Sequence, residues 1–321
     1  MRYLLLLALI TPVITTESVA HDPDDPSLWV NPANPAQSLI ISTDKAAQVG
    51  GLYVFGLDGK IRQHLEGLDR PNNVDVIENI AVTTERNHNR LRAFRISPTA
   101  PHLTDISDLD GLKVFDAPMG ISLYRRPKDA ALFAIVSRKS GPSGSYLFQY
   151  RLTLQAGKLK ATKVREFGAF SGGQGNEIEA VAVDSELGYV YYADESCCIR
   201  KYHADPEHPD APRELAKFGE TGWKRQREGI AIYTQPNGNG FVICTDQIPN
   251  GSQYRVFKRE GEPGRPHDHS KLVKVIETAT DSTDGLEVSS ANLGPQFPKG
   301  IMIAMNSRPK NFVLFDWRNL P

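Results

Sequence analysis

Six short segments recur along this 321-residue chain, and no arrangement of strands that ignores their spacing accounts for them. Each runs from a polar residue through a small or polar one into a short apolar strand. They are Asp25–Val30, Asn72–Val76, Met119–Leu123, Glu179–Val183, Glu228–Ile232 and Asp284–Val288, with first residues 47, 47, 60, 49 and 56 positions apart. A second strand follows each and ends in a polar cluster: Ser42–Lys45, Thr83–Arg86, Ser137–Lys139, Ala193–Glu195, Thr245–Gln247 and Ala304–Asn306. A third, rich in β-branched and aromatic residues, comes next: Leu52–Phe55, Leu91–Phe94, Tyr146–Tyr150, Ile199–Tyr202, Tyr254–Phe257 and Phe312–Phe315. Sustained 3.6-residue periodicity is rare, and 26 Gly and 22 Pro interrupt the chain often. Six units of about 50 residues, each a small antiparallel sheet, predict an all-β, six-bladed β-propeller over residues 12–321.

That geometry aims residues at one face. In a propeller the first strand of each blade lines the central channel, and the cluster ending the second strand emerges beside its start. Asp25, Asn72, Glu179, Glu228 and Asp284 are therefore expected together, with Lys45, Arg86, Lys139 and Glu195. Converging carboxylates repel one another unless cations sit among them. Oxygen donors without His or Cys suit a hard cation, and calcium accepts six to eight such donors in irregular geometry. Lys and Arg beside them are anion-binding groups, and a fork of guanidinium donors matches phosphate. Loop carboxylates and lysines ordinarily form a solvated surface; recurrence at equivalent positions singles these out.

Composition narrows the partners. A net charge of −1 gives no reason to expect nucleic acid or a membrane surface, and the chain is expected to act as a monomer. Arg2, the apolar run Leu4–Ile10 and the small residues Ser18-Val19-Ala20 read as an export signal, with a secreted or periplasmic destination. The signal is placed at residues 1–11, with a cleavage site as late as residue 20. Against late cleavage, Pro12–Val19, with its β-branched run Val13-Ile14-Thr15-Thr16, is expected to form a closing strand near Phe312–Trp317, which removes exposed edges. Three cysteines make no disulfide framework, though Cys244 could bridge to Cys197 or Cys198. His267 and His269, in a Gly/Pro-rich loop, are expected to be solvated. Histidine acid phosphatase, cysteine phosphatase, P-loop and G-x-S-x-G motifs are absent.

The opening Asp22–Trp29, followed by Val30-Asn31-Pro32, resembles the signature start of the β-propeller phytases, and Asn72-Asn73-Val74-Asp75 resembles a second motif of that family. Thr43-Asp44-Lys45, Thr283-Asp284-Gly285 and Leu293-Gly294-Pro295 extend the likeness over nearly the whole chain from Pro12. The resemblance implies calcium-dependent hydrolysis of phytate or calcium phytate to lower inositol phosphates. It implies cleavage-site roles for Lys45, Arg86, Lys139, Glu179, Asp194 and Glu228, and calcium-ligand roles for Asp25, Asp75, Glu195 and Asp284. Four positions depart from the family pattern: Met119 replaces a Tyr, Ala46 a Lys, Gln226 an acidic residue, and Met305-Asn306-Ser307 a Gln-Asp-Gly. Two other readings follow from these departures and from the fold: a propeller that binds calcium and phosphorylated ligands with little or no turnover, and a calcium-dependent lactonase-type propeller.

Overall fold

The computed structural model describes residues 9–173 and 175–320; most of the expected export segment, residues 1–8, lies outside them. Six four-stranded antiparallel sheets stand in a ring. Their inner strands are Pro23–Trp29, Pro71–Ile77, Pro118–Arg125, Val181–Asp184, Arg227–Thr234 and Leu286–Ser289. Each inner strand neighbours the next, and the sixth returns to the first. Six apolar cores hold the ring, one in each gap between adjacent sheets. In the gap between blades 1 and 2, for example, Ile41, Leu52 and Val54 meet Val74, Ala81 and Phe94, all buried. Burying each such side chain contributes about 1.5–3 kcal/mol.

The chain ends close the ring as the β-branched run Val13–Thr16 predicts. Ile14–Thr15 becomes the outermost strand of blade 6, Ile14 opposite Leu314 and Thr15 opposite Val313. The Val13, Thr16 and Val19 amides donate to Leu314, Phe312 and Lys310. Order begins slightly before the expected start, since the Ile10 amide donates to the Glu277 carbonyl on blade 5.

Two expectations need correction. Cys197 and Cys198 bond to each other, while Cys244 is buried as a free thiol on the second strand of blade 5. His269 is buried rather than solvated. Its Nδ1 meets the Lys258 carbonyl at 2.7 Å and its Nε2 meets Lys201 Nζ at 3.1 Å. Burial first, then the Lys201 charge, holds its pKa down at about 4.

Candidate functional site

The inner strands of blades 1, 2, 3 and 5 carry the same irregularity: register slips between Pro23 and Pro26, Pro71 and Val74, Pro118 and Ile121, and Arg227 and Ile230. A β-bulge re-aims the side chains on it and frees backbone groups. Hydroxyls of the second strand take up those groups. Thr43, Thr84 and Ser137 accept the amides of Asp25, Asn73 and Gly120. Thr43 and Thr84 also donate to the Asn72 and Met119 carbonyls of the next blade.

The bulge fixes which residues are equivalent around the channel. A Cβ on Gly120 would lie 1.9 Å from the Glu179 carbonyl oxygen, and one on Gly285 would lie 2.5 Å from that of Asp24. The Gly229 and Gly285 amides donate to the Asp284 and Asp24 carbonyls. The carbonyls of Glu179, Asp284 and Asp24 thus occupy one position in successive contacts. The inner ring is Asp24, Asn72, Met119, Glu179, Glu228 and Asp284, so blade 1 contributes Asp24 where Asp25 was expected.

A second ring follows from the ends of the second strands. Asp44, Glu85, Asp194, Asp246 and Asn306 each accept backbone amides from the loop entering their own blade, at 2.8–3.0 Å. Asp194 is one of this set. It takes the Ser171 amide and hydroxyl and the Arg200 Nε, and is fully buried. Those bonds tie it to the entering loop and to Arg200. In blades 1, 2, 4 and 5 the next residue along, Lys45, Arg86, Glu195 or Gln247, reaches the face, and in blade 3 Lys139, after Arg138, takes that place.

These rings interlock. Lys45 Nζ bonds Asp24 at 2.7 Å and Asp284 at 2.8 Å. Asn72 Nδ2 donates to Asp24 at 3.1 Å and to Glu179. Gln247 donates to Asp284, Gln226 to Glu195 at 3.1 Å, and Lys139 bonds Glu177. Among the described residues, the Arg86 side chain donates only to Asn72 Oδ1, at 3.4 Å. Carboxylate oxygens of Glu177, Glu179 and Glu195 lie within 4.8 Å of one another. Glu177, which sequence reasoning missed, enters from the loop two residues before Glu179.

Such crowding raises proton affinity. Burial, then Glu177 and Glu179, push Glu195 up to about 8. Burial, then Glu179, Glu195 and Asp284, hold Glu228 well above the usual carboxylate range. Asp24 is also held high, burial outweighing the opposing Lys45. Burial works against the Lys45 charge, yet Asp24, Asp284 and Glu179 keep its pKa well above the ordinary lysine value. Protons thus do in part what a cation would do better. The donors are oxygens only, as a hard cation requires.

The four expected calcium ligands do not form one set. Glu195 belongs to the Glu177–Glu179 group and Asp284 is engaged by Lys45 and Gln247. Asp25 and Asp75 face a channel cavity of about 350 Å³ together with Glu287. There Ser27 bonds both Asp75 and Glu287, and Ser122 bonds Asp75. Glu287 and Asp75 sit three residues beyond Asp284 and Asn72, one layer deeper in the channel. Burial lifts Asp75 to about 6; burial and Asp75 lift Glu287 to about 8.

The match of chain to family is decided over residues 7–311, which fit the model of the family described as Phytase. The chain belongs to that family. A 3-phytase of Bacillus subtilis (strain 168) is 28% identical, the alignment covering 96% of this chain and 82% of the relative. Among solved structures, a protein from Lactobacillus plantarum superposes with a TM-score of 0.53 at 14% identity, covering 91% of this chain and 80% of that one. Chaetomium thermophilum Sqt1, solved bound to the N-terminus of a ribosomal protein, gives 0.51 at 12%, covering 96% and 74%. Those two likenesses concern the fold. Membership of the phytase family supports a phosphatase-type hydrolase.

Proposed function

We propose that this protein hydrolyses phytate to lower inositol phosphates and that it requires calcium to do so. One observation carries the reading: carboxylates of Glu177, Glu179 and Glu195 converge beside Lys45, Arg86 and Lys139 on one end of the channel. Those three carboxylates would hold the cation. A divalent cation supplies charge to phosphoryl oxygens and lowers the pKa of water. The residues themselves bind and orient. Lys45 keeps its charge beneath the face and acts as a point charge. Arg86 presents donors with a single long protein contact, so its fork is open to phosphate. Glu228 is buried and holds a proton readily, which suits it to protonate the leaving alcohol oxygen.

The departures bear on the alternative of a binding propeller. Asn306 still accepts the Asp281 amide, as Asp44 and Asp246 do in their blades. That position serves the loop, so losing its charge leaves the face intact. Gln226 still reaches Glu195. The features that remain favour turnover. Arg2 and the Leu4–Ile10 run support export. Phosphate release from phytate, measured with calcium, with chelator, and with magnesium restored after chelation, tests the reading. Full activity in chelator sinks the calcium requirement, and no release under any condition sinks the phytase reading.

A further inference from the structure

We propose that Arg70 is a phosphate-binding residue of this face, acting with Arg86 of the same blade. The inference rests on the phosphate-ester reading above and adds a residue to it.

The repeat places Arg70. In blades 1 to 5 the residue that ends the second-strand cluster donates its amide to the loop entering that blade. Lys45, Arg86, Lys139, Glu195 and Gln247 donate to the carbonyls of Asp22, Arg70, Ala117, Glu177 and Gln226. Each acceptor lies two residues before the inner ring. In blades 4 and 5 the side chain at this position turns onto the face and bonds the ring residue of the preceding blade: Glu177 to Lys139, Gln226 to Glu195. Arg70 is the same position in blade 2. Its preceding ring residue is Lys45, a cation, so the bond made in blades 4 and 5 has no counterpart.

Arg70 therefore lacks the partner that Glu177 and Gln226 have at this position. Among the described residues, no carboxylate lies within ion-pair distance of Arg70 or Arg86. Arg70 Nε is buried without a hydrogen-bond partner. Burial lowers the Arg86 pKa first, and the Arg70 charge is next, ahead of the opposing Glu177, Glu179 and Asp24. Lys45 and Lys139 are by contrast paired with carboxylates. The backbone holds the arrangement. Arg70 sits at φ 57°, its amide donating to Ala46 and its carbonyl accepting from Arg86. Ala117, the equivalent residue of blade 3, has φ 50°, so this uncommon left-handed turn belongs to the loop that enters the blade and fixes where the side chain starts. Two half-buried guanidinium groups with an idle donor between them call for an oxyanion with several acceptor atoms. A phosphate group supplies them.

The test uses calorimetric titration of the calcium-loaded full chain with inorganic phosphate, alongside initial rates on phytate. Arg70→Gly removes the side chain and relaxes the left-handed backbone; Arg70→Asn serves as a second variant that also tolerates φ 57°. Both are expected to weaken phosphate binding about tenfold, with Arg70→Lys intermediate. KM for phytate should rise with the phosphate Kd, and melting temperature should stay close to the parent's. Unchanged phosphate affinity in a folded Arg70→Gly or Arg70→Asn variant overturns the proposal, as does a parent protein that binds no phosphate. A parent that binds phosphate through Arg70 yet releases none from phytate overturns the phytase reading and leaves the binding site standing.

Discussion

Glu179 and Glu228 occupy equivalent ring positions in different surroundings, and the proposed function gives them different work. Glu179 shares its space with Glu177 and Glu195 and takes a bond from Asn72. Replacing it by Gln keeps the shape and removes charge that holds a cation. Glu179→Gln should lower kcat/KM on phytate by roughly 100-fold and raise the calcium concentration needed for half-activity. Glu228→Gln removes a proton donor instead. Its loss should be large on phytate, whose alkoxide leaving group needs protonation, and much smaller on p-nitrophenyl phosphate, whose phenolate does not. Equal losses on both substrates would remove Glu228 from the role of acid. These two residues were legible in the sequence because their chemistry recurs at the start of an inner strand. Asp24 was not, because a two-residue bulge beside an Asp-Asp doublet decides which of the pair faces the ring. Arg70 and Glu177 were not, because their shared position is filled by Asp22, Arg70, Ala117, Glu177 and Gln226 in successive blades, with no common chemistry to mark it.

At the level of the blade, the cap residue is the device that ties loop to sheet. Asp194 holds Ser171 and Arg200 beneath the loop that carries Glu177. Asp194→Asn leaves Arg200 with Glu214 but weakens charged bonds in a buried place. It should reduce stability by about 2 kcal/mol. Activity should fall through calcium affinity and recover as calcium is raised. A fall in kcat that calcium does not restore would place Asp194 in the chemistry. The closing strand makes the same point for the ring. A chain beginning at His21 lacks Ile14–Thr15 and the bonds of Val13, Thr16 and Val19, and it leaves Asn311–Asp316 as an open edge. Its melting temperature should drop by roughly 10 °C. Exported protein whose mass shows cleavage after Ala20, with no such drop, would show that the strand is dispensable. Closure was readable from the sequence because a β-branched run stands where no blade needs it. The pairing of Cys197 with Cys198 and the burial of His269 were not, since each depends on packing that spacing does not encode.

Across the whole molecule, the ring gathers acidic groups that no single blade could hold together, and pH exposes the consequence. Glu195 titrates at about 8 in the folded chain against an ordinary value of 4.5, and Glu228 and Asp24 are also held high. A raised folded-state pKa means that the native state binds more protons than the unfolded chain. The stability this provides is fully present below about pH 4.5 and is lost as pH rises through about 8. A cation at Glu177, Glu179 and Glu195 replaces those protons and removes the slope, because it binds the folded arrangement and not the separated ligands. Other shifted groups complicate the absolute curve. His203 and His269 are held near 4, and Lys201 near 7, chiefly by burial. Lys201 and His269 meet each other rather than the carboxylate rings, so their contribution is the same with and without calcium and cancels in the difference. The readout is therefore the rise in melting temperature that calcium gives over chelator, followed between pH 6.5 and 8.5. The increment that calcium adds should grow over the same interval, and calcium binding at pH 7 should release protons measurable by calorimetry in buffers of different ionisation enthalpy. An increment that shrinks or stays level as pH rises would mean that calcium does not take the place of protons at these carboxylates, and the cation would then have to be sought away from the ring.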